Sequence, residues 1–226
     1  MDLQRIGDLL QPFLRNNVSS VSLSDTGFAI PTALSKEQLQ QLSTYLDLLL
    51  HWNARINLTA VRQPEEIVTR HFGESLFAAR HLFPSRQTET PKNLIDFGSG
   101  AGFPGLPIKI SVPELELILV ESNQRKATFL REVIRRLNLH GAAVFSERAE
   151  NLDIRADTVT LRAVERFEKS LPVAAQLVAL NGRLALLIGD AQIKSATELI
   201  TEFKWVKPIR IPRSENRALL VGTAPA

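Results

Sequence analysis

Apolar positions recur at two different periods along this chain, and the change from one to the other divides it. Leu3, Ile6, Leu9, Leu10 and Phe13 fall three or four residues apart, which predicts a short amphipathic helix over 2–15, interrupted near Pro12. Residues 16–31 are rich in Ser and Asn, contain Asp25-Thr26-Gly27, and read as a loop or extended arm. Ser35-Lys36-Glu37-Gln38 has the form of a capping box, in which the first and fourth side chains satisfy orphan N–H groups reciprocally. Behind it Leu39, Leu42, Leu46 and Leu49 make one apolar stripe of a helix about four turns long. The stretch His51 to Thr59 is unusually polar. Pro64 then starts another helix, with Glu65 and Glu66 in a first turn that suits them, running to about Leu82. Residues 1–80 therefore read as a helical extension with no β signal of weight.

From residue 92 short apolar runs alternate with helical ones. Asn93–Phe97 is the first predicted strand, and Leu115–Glu121 is the second, apolar enough to be buried on both faces. Arg125–Leu139 is a helix with Phe129, Leu130, Val133, Ile134 and Leu137 inward. Ala142–Phe145, Thr158–Ala163 and Arg183–Ile188 are the third to fifth strands. A helix from about Glu168 to Leu180 is expected to end on an Asn181-Gly182 cap, and another covers Gln192–Phe203. Val206–Ile211 and Ala218–Val221 form a closing hairpin across residues 212–216. This alternation predicts an α/β fold over 81–226, a doubly wound, mostly parallel sheet with an antiparallel C-terminal edge. The extension and the sheet are expected to form one compact unit.

Composition narrows the chemistry. Hydrophobic residues make up 44% of the 226 and charged residues 23%, the profile of a soluble globular protein. There is no cysteine, so disulfides, thiolate catalysis and Cys-based zinc or iron–sulfur sites are excluded and a reducing compartment is favoured. The four histidines lack ligand spacing, and no metal is expected. The net charge of +3 and a sequence pI near 9.4 are compatible with a polyanionic partner. No apolar run approaches the ~18 residues that span a bilayer, and Met1-Asp2-Leu3-Gln4-Arg5 does not open like a signal peptide. A cytoplasmic monomer, not associated with membranes, is expected.

The most informative stretch is Asn93 to Pro107, where a strand ends at Asp96-Phe97 and glycines follow at 98, 100, 102 and 105. Asp96-x-Gly98-x-Gly100-x-Gly102 fits the first motif of class I S-adenosylmethionine methyltransferases. Gly100-x-Gly102-x-x-Gly105 also fits the dinucleotide fingerprint of nicotinamide or flavin enzymes. Registration favours the first reading. A dinucleotide turn puts its first glycine directly after the strand, and counted from Gly98 its third glycine position is Phe103. Asp96 also suits the cationic amino-acid end of S-adenosylmethionine and would repel a pyrophosphate. Glu121, at the end of the second strand, lies at the ~20-residue offset where such folds place a carboxylate on ribose hydroxyls.

Other candidates lie outside the turn. The helix after Glu121 exposes Arg125, Lys126, Arg131, Arg135 and Arg136, either a solvated face or a surface for RNA phosphates. His71 and Glu74, three apart, are an acid–base pair, two metal ligands or neither. Arg162 sits inside a strand pattern, where a charge needs a carboxylate or ligand partner.

In combination, Trp52-Asn53-x-x-x-Asn57-Leu58-Thr59-Ala60-Val61-Arg62, Arg70-His71-x-x-Glu74-Ser75, the Asp96–Pro107 turn and Leu161-Arg162-Ala163 closely resemble the RsmG (GidB) family from about Ser35 to the C-terminus. The resemblance implies a class I, Rossmann-like methyltransferase fold and transfer of a methyl group from S-adenosylmethionine to N7 of a guanine in 16S ribosomal RNA of the small subunit. It places the cofactor at Gly98, Phe103, Ala149, Glu150 and Arg162, joining Asp96, Gly100 and Glu121 from the residue-level reading. Asn57, Arg70, His71, Arg125 and Lys126 are the expected RNA contacts, and no residue is singled out as catalytic. The chain departs from the family at Glu74, commonly aspartate, at Ile188, commonly lysine, and in its longer stretch 1–30. Two other readings are a nicotinamide-dependent oxidoreductase using the same turn and a non-catalytic RNA-binding module.

Overall fold

The computed structural model describes residues 1–15, 33–84 and 92–226, so the arm expected over 16–31 lies outside the described residues. Helix α1 (Leu3–Leu14) continues through Pro12 instead of breaking there. It buries Ile6, Leu10, Phe13 and Leu14, and this packing outweighs the one backbone bond the proline removes. Helix α2 (Lys36–Asn53) starts at the predicted capping box, with Gln38 N–H on Ser35 Oγ at 3.2 Å and Ser35 N–H on Gln38 Oε1 at 2.9 Å. The third helical stretch is one rod in three parts: α3 (Pro64–Ile67), a π-helical turn (Val68–Gly73) and α4 (Glu74–Leu82).

The sheet follows the predicted plan. Strands β1 (Asn93–Phe97), β2 (Glu116–Val120), β3 (Ala142–Phe145), β4 (Ala156–Arg162) and β5 (Val178–Gly189) are parallel. They are joined by α5 (Gly105–Ser111), α6 (Gln124–Arg136) and α7 (Phe167–Gln176), with only a 3₁₀ turn, Ala149–Asn151, between β3 and β4. After α8 (Asp190–Leu199) come β6 (Lys204–Trp205), β7 (Ile209–Arg210) and β8 (Arg217–Thr223). The order is β3-β2-β1-β4-β5-β8-β6, with β7 beside β8 and β8 antiparallel to β5. One correction concerns the segment after α7. Asn181-Gly182 does not cap that helix but lies inside β5, where Asn181 takes φ +58°. The register there jumps from Ala156–Val178 to Thr158–Arg183, so the left-handed residue marks a bulge. The last helix likewise stops at Leu199, not at Phe203.

Two apolar clusters flank the sheet. One face packs against α7 and α8 through Leu171, Ala174, Ala196 and Val159. The other face shares a single cluster with the N-terminal helices, in which Leu10, Leu42, Tyr45, Leu49 and Phe72 meet Leu106, Leu117 and Phe129. Polar ties reinforce that contact: Gln38 donates to the Ile110 carbonyl, Gln41 to that of Leu137, and Trp52 to Glu132 on α6. This leaves the N-terminal helices seated over the carboxyl ends of the parallel strands.

Candidate active site

Parallel α/β sheets place ligands at the carboxyl ends of their strands, and the candidate residues gather at that edge here. The glycine turn follows β1, Glu121 follows β2, Ala149-Glu150 form the 3₁₀ turn after β3, and Arg162 ends β4. Gly98 and Gly100 have φ +65° and +59°, values that a side chain would strain. Around a Cβ built at Gly100 the nearest atom is 3.8 Å away, so the turn is open on that side. Glu121 closes the other side. Its Oε2 accepts the Gly100 N–H at 2.9 Å and its Oε1 accepts the Asn123 N–H at 2.7 Å.

Asp96 is placed differently from the expectation. Its carboxylate is fully buried beneath the turn, accepting the Thr160 hydroxyl at 2.8 Å and the Gly105 N–H at 3.1 Å. Burial pushes its pKa up to about 6, against the pull of those donors. Asp96 therefore braces the turn against β4 and the start of α5 and does not line its open side.

The second half of the site is a polar chain built on the π turn. Glu74 N–H bonds the His71 carbonyl, not that of Arg70 as in a regular α-helix, and the Arg70 carbonyl instead accepts Arg162 Nη2 at 2.9 Å. Helix widenings of this kind are frequent at functional sites. The same Nη2 lies 3.0 Å from His71 Nδ1 and 3.0 Å from Glu74 Oε2. Glu74 Oε2 is shared with Arg217 at 2.9 Å. Burial raises the pKa of Glu74 and lowers that of Arg162 to about 10, while their mutual attraction opposes both shifts. The guanidinium stays charged at neutral pH.

His71 is a second correction. Expected to face RNA, it is 8% exposed, with its ring 4.8 Å from that of Phe103 and its Nε2 2.7 Å from Thr59 Oγ1. Burial, reinforced by the Arg162 charge, drives its pKa down to about 2, so it stays neutral and supports Arg162. His71 and Glu74 are thus neither an acid–base pair nor metal ligands but two partners of one arginine. Among the described residues no cluster of His, Asp or Glu could hold a metal ion.

The remaining candidates divide by exposure. Phe103 is buried under the Arg162 guanidinium, 5.9 Å from its ring centre. Ala149 is buried, and Glu150, Asn57, Arg70 and Arg125 are exposed. Arg70 pairs with Glu66 at 3.3 Å, and Lys126 is half-buried at the start of α6. Beside Glu74 opens a cleft of about 530 Å³ between the π turn and residues 212–217, lined in part by Thr69, Arg70, Arg213 and Arg217. Sequence reasoning assigned no role to Arg217, which lies in a predicted strand-entry loop with nothing local to mark it. It also left Asn53 and Thr59 without roles, although both stand in the quoted motif. Asn53 Oδ1 accepts the N–H groups of Leu58 and Thr59, which delivers the Thr59 hydroxyl to His71.

The turn has the features a nucleoside-bearing sulfonium cofactor needs: an open backbone cradle, a strand-end carboxylate at Glu121, and Arg162, whose Nε is buried without a partner. With this strand order the fold and site define a class I S-adenosylmethionine-dependent methyltransferase, set behind a helical N-terminal part. Solved structures agree on the fold. Magnesium protoporphyrin IX methyltransferase of Synechocystis PCC 6803 superposes with a TM-score of 0.60 at 13% identity, covering 85% of this chain and 98% of that one. Ribosomal protein L11 methylase of Lactobacillus delbrueckii gives 0.57 at 10%, covering 70% and 80%.

Sequence comparison narrows the class to a family. The model of the GidB family, rRNA small subunit methyltransferase G, matches residues 38–215, and the chain belongs to that family. The ribosomal RNA small subunit methyltransferase G of Chloroflexus aggregans is 40% identical over 211 residues, 88% of this chain and 86% of its own. That of Xylella fastidiosa is 36% identical over 192 residues, 83% and 87% respectively. Nothing in these matches favours a nicotinamide enzyme.

Proposed function

We propose that this protein transfers the methyl group of S-adenosylmethionine to N7 of one guanine in 16S ribosomal RNA. The observation that carries the reading is the convergence on one sheet edge of the glycine turn, Glu121 and Arg162, in a chain of the small-subunit rRNA methyltransferase G family. S-adenosylmethionine supplies an electrophilic methyl on a sulfonium centre. The chain's own contribution is placement. Gly98 and Gly100 admit the cofactor, Glu121 holds its ribose, and Ala149 with Glu150 sits at its base. Arg162, held by Glu74, His71 and the Arg70 carbonyl, presents an oriented cation at its edge. Guanine N7 carries an in-plane lone pair and needs no base to expose it. Alignment alone supplies up to ~7–11 kcal/mol of barrier reduction, and no proton relay is required. The neutral His71 fits such a site. The methylated base is a cation, and the carboxylate of Glu74 offsets the arginines near it.

The acceptor is a loop base, because the deep major groove of an A-form helix hides N7. Asn57, Arg70, Arg125 and Lys126, exposed or half-buried around the edge, grip the RNA around that base. No described helix is long and apolar enough to cross a membrane, and a cytoplasmic monomer acting on the small subunit or its RNA fits this reading. The helices of residues 1–80 and the sheet of 81–226 act as one unit, as their shared apolar cluster supports.

Labelled S-adenosylmethionine tests the proposal. Label is expected in small-subunit RNA or subunits, with borohydride and aniline cleaving the product at one guanosine. Equal labelling of transfer RNA or protein overturns it. Stabilisation by NAD(P) but not by S-adenosylhomocysteine overturns the cofactor assignment.

A further inference from the structure

Tyr45 is the chain's single tyrosine, on α2 and fully buried, well outside the sheet. Three observations tie it to the glycine turn. Its hydroxyl donates to the carbonyl of Ala101, the residue between Gly100 and Gly102. Its ring stacks on Phe103, with centroids 5.4 Å apart and planes 16° from parallel, and is held from behind by Phe72 and Phe129 at 5.2 and 6.3 Å. A Cβ built on Gly102, at φ +92°, would come within 2.5 Å of the Tyr45 oxygen, so the backbone passes close against the phenol at that residue.

The Ala101 carbonyl belongs to the peptide whose N–H, on Gly102, bonds the Ser99 carbonyl at 2.7 Å. Fixing that carbonyl from outside fixes the peptide plane and, through Ser99, the orientation of the backbone on both sides of Gly100. The donor does not switch off. Burial and the nearby Asp96 charge hold the phenol well above its usual pKa, so it remains protonated.

We infer that Tyr45 is a positioning residue for the cofactor turn: through Ala101 and Phe103, the N-terminal helical part sets the shape of the cradle as well as covering it. The inference rests on the glycine turn being the cofactor site. It assigns the helical part a role in S-adenosylmethionine affinity that is separate from any contact with RNA.

The test compares three full-length variants. Tyr45→Phe keeps the ring and its stack and removes only the donor, stranding a buried carbonyl. The dissociation constant for S-adenosylhomocysteine and the KM for S-adenosylmethionine are expected to rise about five- to tenfold, with kcat changed less than about threefold and RNA affinity unchanged. Leu49→Val lies one turn further along α2 in the same apolar cluster. It is expected to lower Tm while leaving both cofactor constants alone. Gly98→Val is expected to abolish S-adenosylhomocysteine binding. Unchanged cofactor constants in Tyr45→Phe, alongside loss of binding in Gly98→Val, overturn the role of Tyr45 only. Full binding in Gly98→Val overturns the placement of the cofactor and the inference with it. A rise in KM in Leu49→Val equal to that in Tyr45→Phe shows ordinary packing damage and also overturns it.

Discussion

Arg162 Nη2 lies 3.0 Å from Nδ1 of His71, and this one contact settles the state of the imidazole. A guanidinium can only donate, so Nδ1 accepts and the ring proton sits on Nε2. Nε2 in turn donates to Thr59 Oγ1 at 2.7 Å. Protonating the ring would set an N–H against the guanidinium, in a pocket too buried for solvent to soften the repulsion.

The stability of the protein is therefore expected to depend on the charge state of His71. Its folded pKa of about 2 lies below the ordinary 6.5, so the unfolded chain binds the extra proton first. The stabilisation this gives is complete above pH 6.5 and declines as pH falls, by up to about 1.4 kcal/mol per unit. Asp96, raised from 3.8 to about 6, acts in the opposite direction: it binds its proton first in the folded state and favours folding as pH drops from about 6 toward 4. Urea unfolding of the wild type and His71→Asn across pH 5–7.5 separates the two. The stability gap between them is expected to narrow steadily below pH 6.5, and a constant gap contradicts the assignment.

Glu74 is the sole carboxylate within salt-bridge distance of both Arg162 and Arg217 among the described residues. Removing one partner of a buried pair leaves uncompensated charge, at a penalty of about 3–5 kcal/mol. Glu74→Gln is expected to approach that penalty in thermal or denaturant unfolding. Glu74→Asp, which keeps the charge but is one methylene shorter, is expected to lose less than half as much.

Glu121 bonds the turn directly at Gly100. Hydrogen bonds to charged groups contribute about 1.5–3 kcal/mol. Glu121→Ala is accordingly expected to weaken S-adenosylhomocysteine binding about ten- to a hundredfold by calorimetry, with RNA affinity retained.

Arg125 and Lys126 open α6, their backbone N–H groups capped by Asn123 at 3.0 and 3.2 Å. Charge reversal at both is expected to weaken RNA binding and flatten its salt dependence, by about 0.7 in the logarithmic slope for each phosphate that is no longer neutralised. Cofactor affinity should not move. A parallel drop in cofactor binding would mean that the two side chains support the fold of the site.

What the sequence disclosed follows the range of the interactions involved. The Ser35 capping box and the bounds of β1 and β3 were legible because each rests on a few adjacent residues. The glycine turn and Glu121 were legible for the same reason, lying within one strand–helix–strand unit. Asn181-Gly182 misled because a left-handed asparagine serves a helix end and a strand bulge equally well. The partners of Arg162 were out of reach. Glu74 and His71 stand 88 and 91 residues earlier, and only the fold decides that they bury together instead of facing solvent. Asp96 was recognised as important, but its inward orientation depends on Thr160, 64 residues away.

The π turn at Val68–Gly73 sets a limit on how the gene can change. Each helical residue turns the chain by about 100°, so dropping one codon there would restore a regular helix and swing everything beyond it around the axis. Glu74 would leave Arg162 and Arg217, and Ser75 would part from the His71 carbonyl it now bonds at 2.6 Å. Substitutions along the turn can be absorbed one side chain at a time, but a change of length cannot. In this rod the number of residues is itself a functional property, and a one-residue deletion scan through 64–82 should find its least tolerant window there.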